Sequence, residues 1–467
     1  MEVEMSTHVR VDNPATGEIV AEVPYMGKDE VNKAIERADT AQKKWAQVPV
    51  YERAEAIENF VSALKKMAPE VARDISQQMG KPLHHAHGEI GGTIQRARHM
   101  ASIAEQALEE EVLQGLDGFY RSISREPVGV VFDIAAWNYP LLVAVNAVVP
   151  AVLAGNAVLI KHSPRTPLCG IHFEQAFREA GFPDGLVQST LVTHDTAAEV
   201  INDQRIGAVS FVGSTRGGRE VLQAAAKERF IPVGLELGGK DPAYVAEDAD
   251  LDFSVANVME GGFFNAGQSC CAIERVYVHE GLYQQFVERA LAEVSSYVQG
   301  DPTNPETFLG PMALPEAPQH LKNQIEDALA KGAQLLCGGD TLEGNGRFFI
   351  PTLLTNVHHN MSVMTEESFG PILGIQKVRS DDEAMTLMNN SDYGLTASIW
   401  TQEANRAEWF AEGLQTGTVF MNRCDYLDPA QPWTGVKNTG RGATLSRHGF
   451  DAFTRFKNRH FRLRVDG

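Results

Sequence analysis

Phe263-Phe264-Asn265-Ala266-Gly267-Gln268-Ser269-Cys270-Cys271 sets a thiol just after a Gly-Gln turn, in a chain with few other cysteines. Upstream, Leu235-Glu236-Leu237-Gly238-Gly239-Lys240 holds a carboxylate in a second apolar, Gly-flanked strip. A lone cysteine is most often a buried core thiol. Paired with such a carboxylate, Cys270 reads as a nucleophile, with Glu236 as a base that deprotonates it or a water.

Between and around these strips the chain alternates. Short apolar strands are expected at Ala157–Ile160, Val187–Val192 and Ala208–Val212, with helices at Leu168–Glu179, Thr196–Asn202 and Arg216–Glu228. That spacing implies a parallel sheet covered by helices. A second alternating block runs from Asp250 to Trp400. Before them come a hairpin at Val11–Glu22 and helices at 29–47, 52–66, 69–79 and 89–110, then a long strand pair at Phe119–Asp133. Leu141–Ile160 is apolar over the length of a membrane span. Asn146, Pro150, Gly155 and Asn156 argue instead for a buried helix that ends before a buried strand, with no membrane insertion.

The 467 residues are 43% hydrophobic, with 41 Gly and 22 Pro, which suits a globular chain of several units. A net charge of −20 argues against nucleic-acid binding and for a soluble cytoplasmic protein. The five cysteines contain no CxxC pair and the histidines no HExxH spacing, so neither a disulfide framework nor a metal site is expected. His84, His85 and His87 read as a solvated helix end.

Four further strips complete the pattern: Ala136-Trp137-Asn138-Tyr139-Pro140, Lys161-His162-Ser163-Pro164, Phe211-Val212-Gly213-Ser214-Thr215-Arg216-Gly217-Gly218 and Glu367-Ser368-Phe369-Gly370-Pro371. In order and spacing, with the Cys and Glu strips, they resemble the aldehyde dehydrogenase superfamily from about Val11 to Phe461. The resemblance implies an α/β fold: two Rossmann-like parallel-sheet domains plus a small β oligomerisation extension. Residues 1–117 and 132–235 would bind dinucleotide, 236–430 would be catalytic, and 118–131 with 440–467 would supply the oligomerisation strands of a homodimer or homotetramer.

The resemblance also implies the chemistry. Cys270 attacks an aldehyde to form a thiohemiacetal, hydride leaves for NAD or NADP, and water activated by Glu236 hydrolyses the thioester. Asn138 and the Cys270 backbone N–H would hold the oxyanion. Taken alone, Asn138 reads as a turn residue and Glu236 as a solvated charge. Gly213-Ser214 opening a helix is by itself a weak phosphate signal, no better than a plain N-cap. By resemblance Gly213 and Ser214 flank the pyrophosphate and Gly218 allows close packing. Lys161 reaches the adenosine ribose, Glu367 the nicotinamide ribose and Phe369 the nicotinamide end. Trp137, Ser163 and Leu237 complete the cofactor set. Tyr139, Phe264, Tyr426 and Trp433 would line the substrate tunnel. Cys271 reads as structural.

The chain departs from the family pattern in places. Pro164 stands where many NAD-dependent members carry a ribose-binding carboxylate, and Arg165 follows, which leaves NAD against NADP open. Ala147 replaces a lysine found in some members. Asn146 and Leu427 leave room for a longer substrate, so an apolar aliphatic or aromatic aldehyde is expected. Arg423 keeps open a carboxylate-bearing aldehyde of the succinate semialdehyde type. The other readings are a CoA-acylating enzyme, disfavoured by Glu236; a cysteine hydrolase or esterase, disfavoured by the nucleotide strips; and a non-catalytic binding protein.

Overall fold

The computed structural model describes residues 7–464. Two helix-flanked sheets form its body. The first, in spatial order, comprises Gly440–Arg441, Val233–Glu236, Ile206–Val212, Val130–Ala135, Ala157–His162 and Val187–Ser189. All its pairings are parallel except that of Gly440–Arg441. Val130–Ala135 and Ala157–His162 are buried at every position, because helices cover both faces. That is why these strands read as largely apolar runs, broken only by Asp133 in the first and by Lys161 and His162 at the end of the second.

The second sheet runs Gln334–Cys337, Thr352–Thr355, Ile372–Val378, Ile273–His279, Asp241–Val245, Thr396–Trp400 and Thr418–Met421, parallel except for the first pair. A separate antiparallel sheet joins Thr454–Arg462, Phe119–Pro127 and Glu111–Leu113.

Phe119–Asp133 is therefore not one strand pair. Phe119–Pro127 pairs with the C-terminal strand, while Val130 begins a strand of the first sheet. Gly129, at φ +117, makes the turn between them. Val130 and Val131, grouped by sequence with the oligomerisation strands, belong to the first sheet. So do Gly440 and Arg441, which pair with Leu235 and Glu236. Likewise 52–66 and 69–79 are not two helices: Val50–Met79 runs unbroken through Pro69.

Pro140–Leu153 is the helix that mimics a membrane span. Pro140 occupies its first turn, where a missing N–H costs nothing, and Gly155 follows its end at φ +94. A Cβ on Gly155 would lie 2.1 Å from the Arg53 guanidinium. The helix is apolar because it is wrapped by protein, and only Leu142 and Val143 escape full burial. Glu89, from the neighbouring helix Leu83–Leu108, accepts the free N–H groups of Leu141 (2.8 Å) and Leu142 (3.4 Å). A carboxylate there also complements the helix dipole. Among the described residues no helix is long and apolar enough to cross a membrane.

Candidate active site

A cavity of about 390 Å³ opens between the two sheets, at the carboxyl ends of parallel strands. Chain turns converge at this position in open α/β sheets, which makes it the usual ligand crevice. Trp137, Asn138 and Tyr139 reach it from the end of Val130–Ala135, Gly213 and Ser214 from Ile206–Val212, and Glu236 and Leu237 from Val233–Glu236. The other side supplies Phe264, Cys270, Glu367, Phe369, Tyr426 and Trp433. Lys161, Ser163 and Gly218 are the expected site residues outside its wall.

The loop that precedes Cys270 has an unusual backbone. Asn265, Ala266 and Gly267 take left-handed φ values of 53°, 56° and 69° in succession. Such strain persists only where the surroundings hold it. The Asn265 amide donates to the carbonyls of Asn138 and Gln268, each at 3.2 Å. The Gln268 side chain donates to Asn265 O at 3.0 Å and accepts from Ala313 N at 2.9 Å. Asn138, 5% exposed, donates its own amide to Gln268 O at 3.2 Å. Thiol loop and amide are thus tied together. Cys271 donates to Asp425 at 2.9 Å, and Ser269 donates to the same oxygen at 3.2 Å.

Glu236 accepts the Thr444 hydroxyl at 2.5 Å. Burial pushes its carboxyl upward, while the Thr444 hydrogen bond and the Arg96 charge pull it back. Its carbonyl accepts the Gly213 N–H at 3.0 Å, so the candidate base and phosphate turn share a peptide contact. Ala147 is buried off the cavity, and Thr444 and Arg96 are the groups that act on Glu236.

The nucleotide side fits a dinucleotide. Ser214 caps the helix Thr215–Glu228 by accepting Gly217 N–H at 3.2 Å. A Cβ on Gly213 or Gly217 would come within 2.8 Å of the Phe211 ring, and one on Gly218 within 2.6 Å of Leu237. The backbone is therefore bare where a pyrophosphate would approach a helix N-terminus. Lys161 is buried at the end of its strand, and burial lowers its ammonium to about 8. Ser163 accepts Arg165 N–H at 3.2 Å. Glu367 accepts Gly239 N–H at 2.9 Å, and burial raises it to about 7. The buried Lys240–Glu274 pair (2.6 Å) anchors its loop, with Glu274 accepting the N–H groups of Ser368 and Phe369. The Trp137 and Phe369 rings meet edge to face at 5.5 Å.

Three expectations need correction. Arg165 is not free to meet a 2′-phosphate: its guanidinium is bound to Asp12, which Arg347 also holds. Arg423 is exposed and off the cavity wall, with its guanidinium 3.4 Å from the Tyr426 ring centroid. His85 is not solvated: its ring lies 4.3 Å from that of Phe264, and burial drops its imidazole to about 3.

Sequence reasoning missed Arg96, Asp425 and Thr444. Arg96 did leave a trace. It lies on the same helical face as Thr93, Ala97 and Met100, all buried, where a charge is out of place. Thr444 and Asp425 arrive from distant segments and carry no local signal.

The chain matches the aldehyde dehydrogenase family over residues 2–459. The chain belongs to that family. It is 34% identical to the succinate semialdehyde dehydrogenase [NAD(P)+] Sad of Escherichia coli, across 97% of this chain and 98% of that protein. It is 36% identical to a succinate-semialdehyde dehydrogenase [NADP(+)] of Deinococcus radiodurans, across 95% and 93%. Among solved structures, an aldehyde dehydrogenase of Brucella melitensis biovar abortus superposes with a TM-score of 0.95 at 30% identity, covering 99% of this chain and 96% of that one. A lactaldehyde dehydrogenase of Escherichia coli gives 0.94 at 31%, covering 98% and 96%. In this family member Arg275 is structural: it is buried and donates to the carbonyls of Lys240, Leu387 and Met388.

Proposed function

We propose that this aldehyde dehydrogenase oxidises an aldehyde to a carboxylic acid with NAD(P), using Cys270, Asn138 and Glu236. The observation that carries the reading is the meeting of these three groups on one cavity wall, beside the Gly213-Ser214 turn that opens a helix.

The Cys270 sulfur forms a bond to the carbonyl carbon, and the oxygen takes up the electron pair of the broken π bond. That oxyanion is met by the Asn138 amide and the Cys270 N–H, worth on the order of 10²–10³ in rate per donor. Trp137, Gly213, Ser214, Gly218, Leu237, Glu367 and Phe369 would hold the cofactor, with Lys161 and Ser163 toward the adenosine end. When bound, the oxidised nicotinamide supplies the hydride acceptor. Glu236 then takes a proton from water, whose oxygen attacks the thioester, and Cys270 leaves as thiolate. An upward-shifted carboxyl suits that task, since a base works best near the operating pH.

Nothing at Pro164 repels a 2′-phosphate and Arg165 is engaged elsewhere, so we assign NAD(P) without a preference. For the substrate we favour a short aldehyde bearing a carboxylate at its other end, in keeping with relatives named for succinate semialdehyde. A second reading, an apolar aliphatic or aromatic aldehyde, draws on the walls made by Tyr139, Leu142, Phe264, Leu427 and Trp433. The same reading has the enzyme soluble and cytoplasmic, pairing through Phe119–Pro127 and Thr454–Arg462. On the latter strand and just beyond it Phe456, Phe461 and Leu463 are exposed.

The test is formation of reduced nicotinamide from succinate semialdehyde, benzaldehyde and decanal, each with NAD and NADP. Activity should vanish in Cys270→Ala. Activity surviving that change, or cofactor binding with no turnover of any aldehyde, defeats the reading.

A further inference from the structure

Resting on that reading and deepening it, we infer that Arg96 is the residue that binds the far carboxylate of the substrate, and so selects short aldehydes with an acid at the other end. Arg96 is the cation on the cavity wall; no other Lys, Arg or His among the described residues lines it. It projects from the helix Leu83–Leu108 and is only 9% exposed. A buried guanidinium is normally paired. This one has no carboxylate within salt-bridge distance among the described residues. Its Nη1 donates to Asn146 Oδ1 at 3.1 Å and to Leu142 O at 3.2 Å. Its Nε and Nη2 make no hydrogen bond among the described residues, yet they are not sealed off, since Arg96 faces the cavity.

The arrangement is a fork held from behind. Asn146 and the Leu142 carbonyl fix one nitrogen, and the remaining N–H groups are the pair that matches a carboxylate in bidentate geometry. Leu142, Val143 and Phe264 supply apolar walls that keep water away and strengthen the contact. Of the acids on the wall, Glu236 is hydrogen-bonded by Thr444 and Asp425 by Ser269 and Cys271, while Glu367 accepts Gly239 N–H. Burial pushes all three toward the neutral form and lowers the Arg96 guanidinium as well, while the charge of Glu236 raises Arg96 again. Arg96 and Cys270 line the same cavity, so an aldehyde held at Cys270 can present a far carboxylate to Arg96.

The rival role is structural: Arg96 could act only through Glu236. Succinate semialdehyde and butanal separate the two, because they share a chain length and differ in the carboxylate. In Arg96→Met, kcat/KM for succinate semialdehyde should fall about 100-fold or more, mainly through KM. For butanal, compared at a pH where Glu236 is ionised in both forms, it should stay within about threefold, although the acid limb moves to higher pH as Glu236 loses the Arg96 charge. Arg96→Lys should recover part of the loss. Calorimetric binding of succinate to the cofactor-loaded protein should weaken in parallel, without need of turnover. Arg423→Ala should change none of these. Equal losses for both aldehydes at a pH where Glu236 is ionised, or unimpaired succinate binding, would overturn the assignment. If the wild type oxidises butanal but not succinate semialdehyde, Arg96 loses its role while the Cys270 reading stands. If it oxidises neither, nor any other aldehyde, both fall.

Discussion

Thr444 donates its hydroxyl to the Glu236 carboxylate across 2.5 Å, joining a residue near the C-terminus to the end of a first-sheet strand. The bond favours the ionised form and opposes the upward push of burial. Thr444→Val should therefore raise the Glu236 carboxyl further. If ionised Glu236 is the base, the acid limb of the kcat–pH profile moves to higher pH and turnover falls most on the acidic side. A profile that stays in place would show that Glu236 does not limit the rate through its ionisation.

Glu236→Gln should separate the two halves of the reaction. Acylation of Cys270 needs no water, so mixing enzyme, cofactor and aldehyde should give a burst of reduced nicotinamide of about one equivalent per site. Steady turnover should then drop by about 10²–10⁴-fold. Rapid-mixing absorbance reads both phases. A missing burst with normal cofactor binding would move Glu236 to the acylation step.

Gly267 holds φ +69, and a Cβ there would sit 2.3 Å from the Gly370 carbonyl oxygen. Gly267→Ala should lower unfolding stability by about 1–3 kcal/mol. It should also cut kcat/KM, because the thiol follows closely in the chain. Denaturant titration and steady-state kinetics check the two effects.

Asp133 is fully buried on a first-sheet strand, and burial raises it to about 8. Neither oxygen has a hydrogen bond of good geometry, although Ser210 stands opposite in the parallel register. The sign follows from proton counting. From about pH 4 to 8 the folded state keeps a proton that the unfolded chain has lost, so stability falls as pH rises through that window. Asp133→Asn should flatten this slope and stabilise the protein relative to wild type at pH 8, by on the order of a few kcal/mol. Melting curves across pH measure it; an unchanged slope would mean that Asp133 ionises normally.

Much of this was legible in the chain because it is local. Apolar Ala157–Ile160 carries its own signal within a few residues, while Gly213-Ser214 and Glu236, weak alone, become readable through their order and spacing with the Cys270 strip. What escaped depends on long-range packing. Thr444 meets Glu236 only because the chain returns beside the first sheet at Gly440. The break inside Phe119–Asp133 was hidden because β-branched residues suit both sheets, and only pairing partners decide between them. Arg423 looked nearer to chemistry than Arg96 by sequence position, yet it turned outward onto Tyr426.

The contact between Gly267 and Gly370 is backbone against backbone, one flanking the thiol and the other following Phe369. The spacing between the Cys270 loop and the Phe369 turn is thus written in main-chain atoms, which mutation of side chains does not edit. Cavity positions such as Arg96, Asn146 and Leu427 lie outside that contact. A scaffold of this kind can change its diet without retuning its reaction.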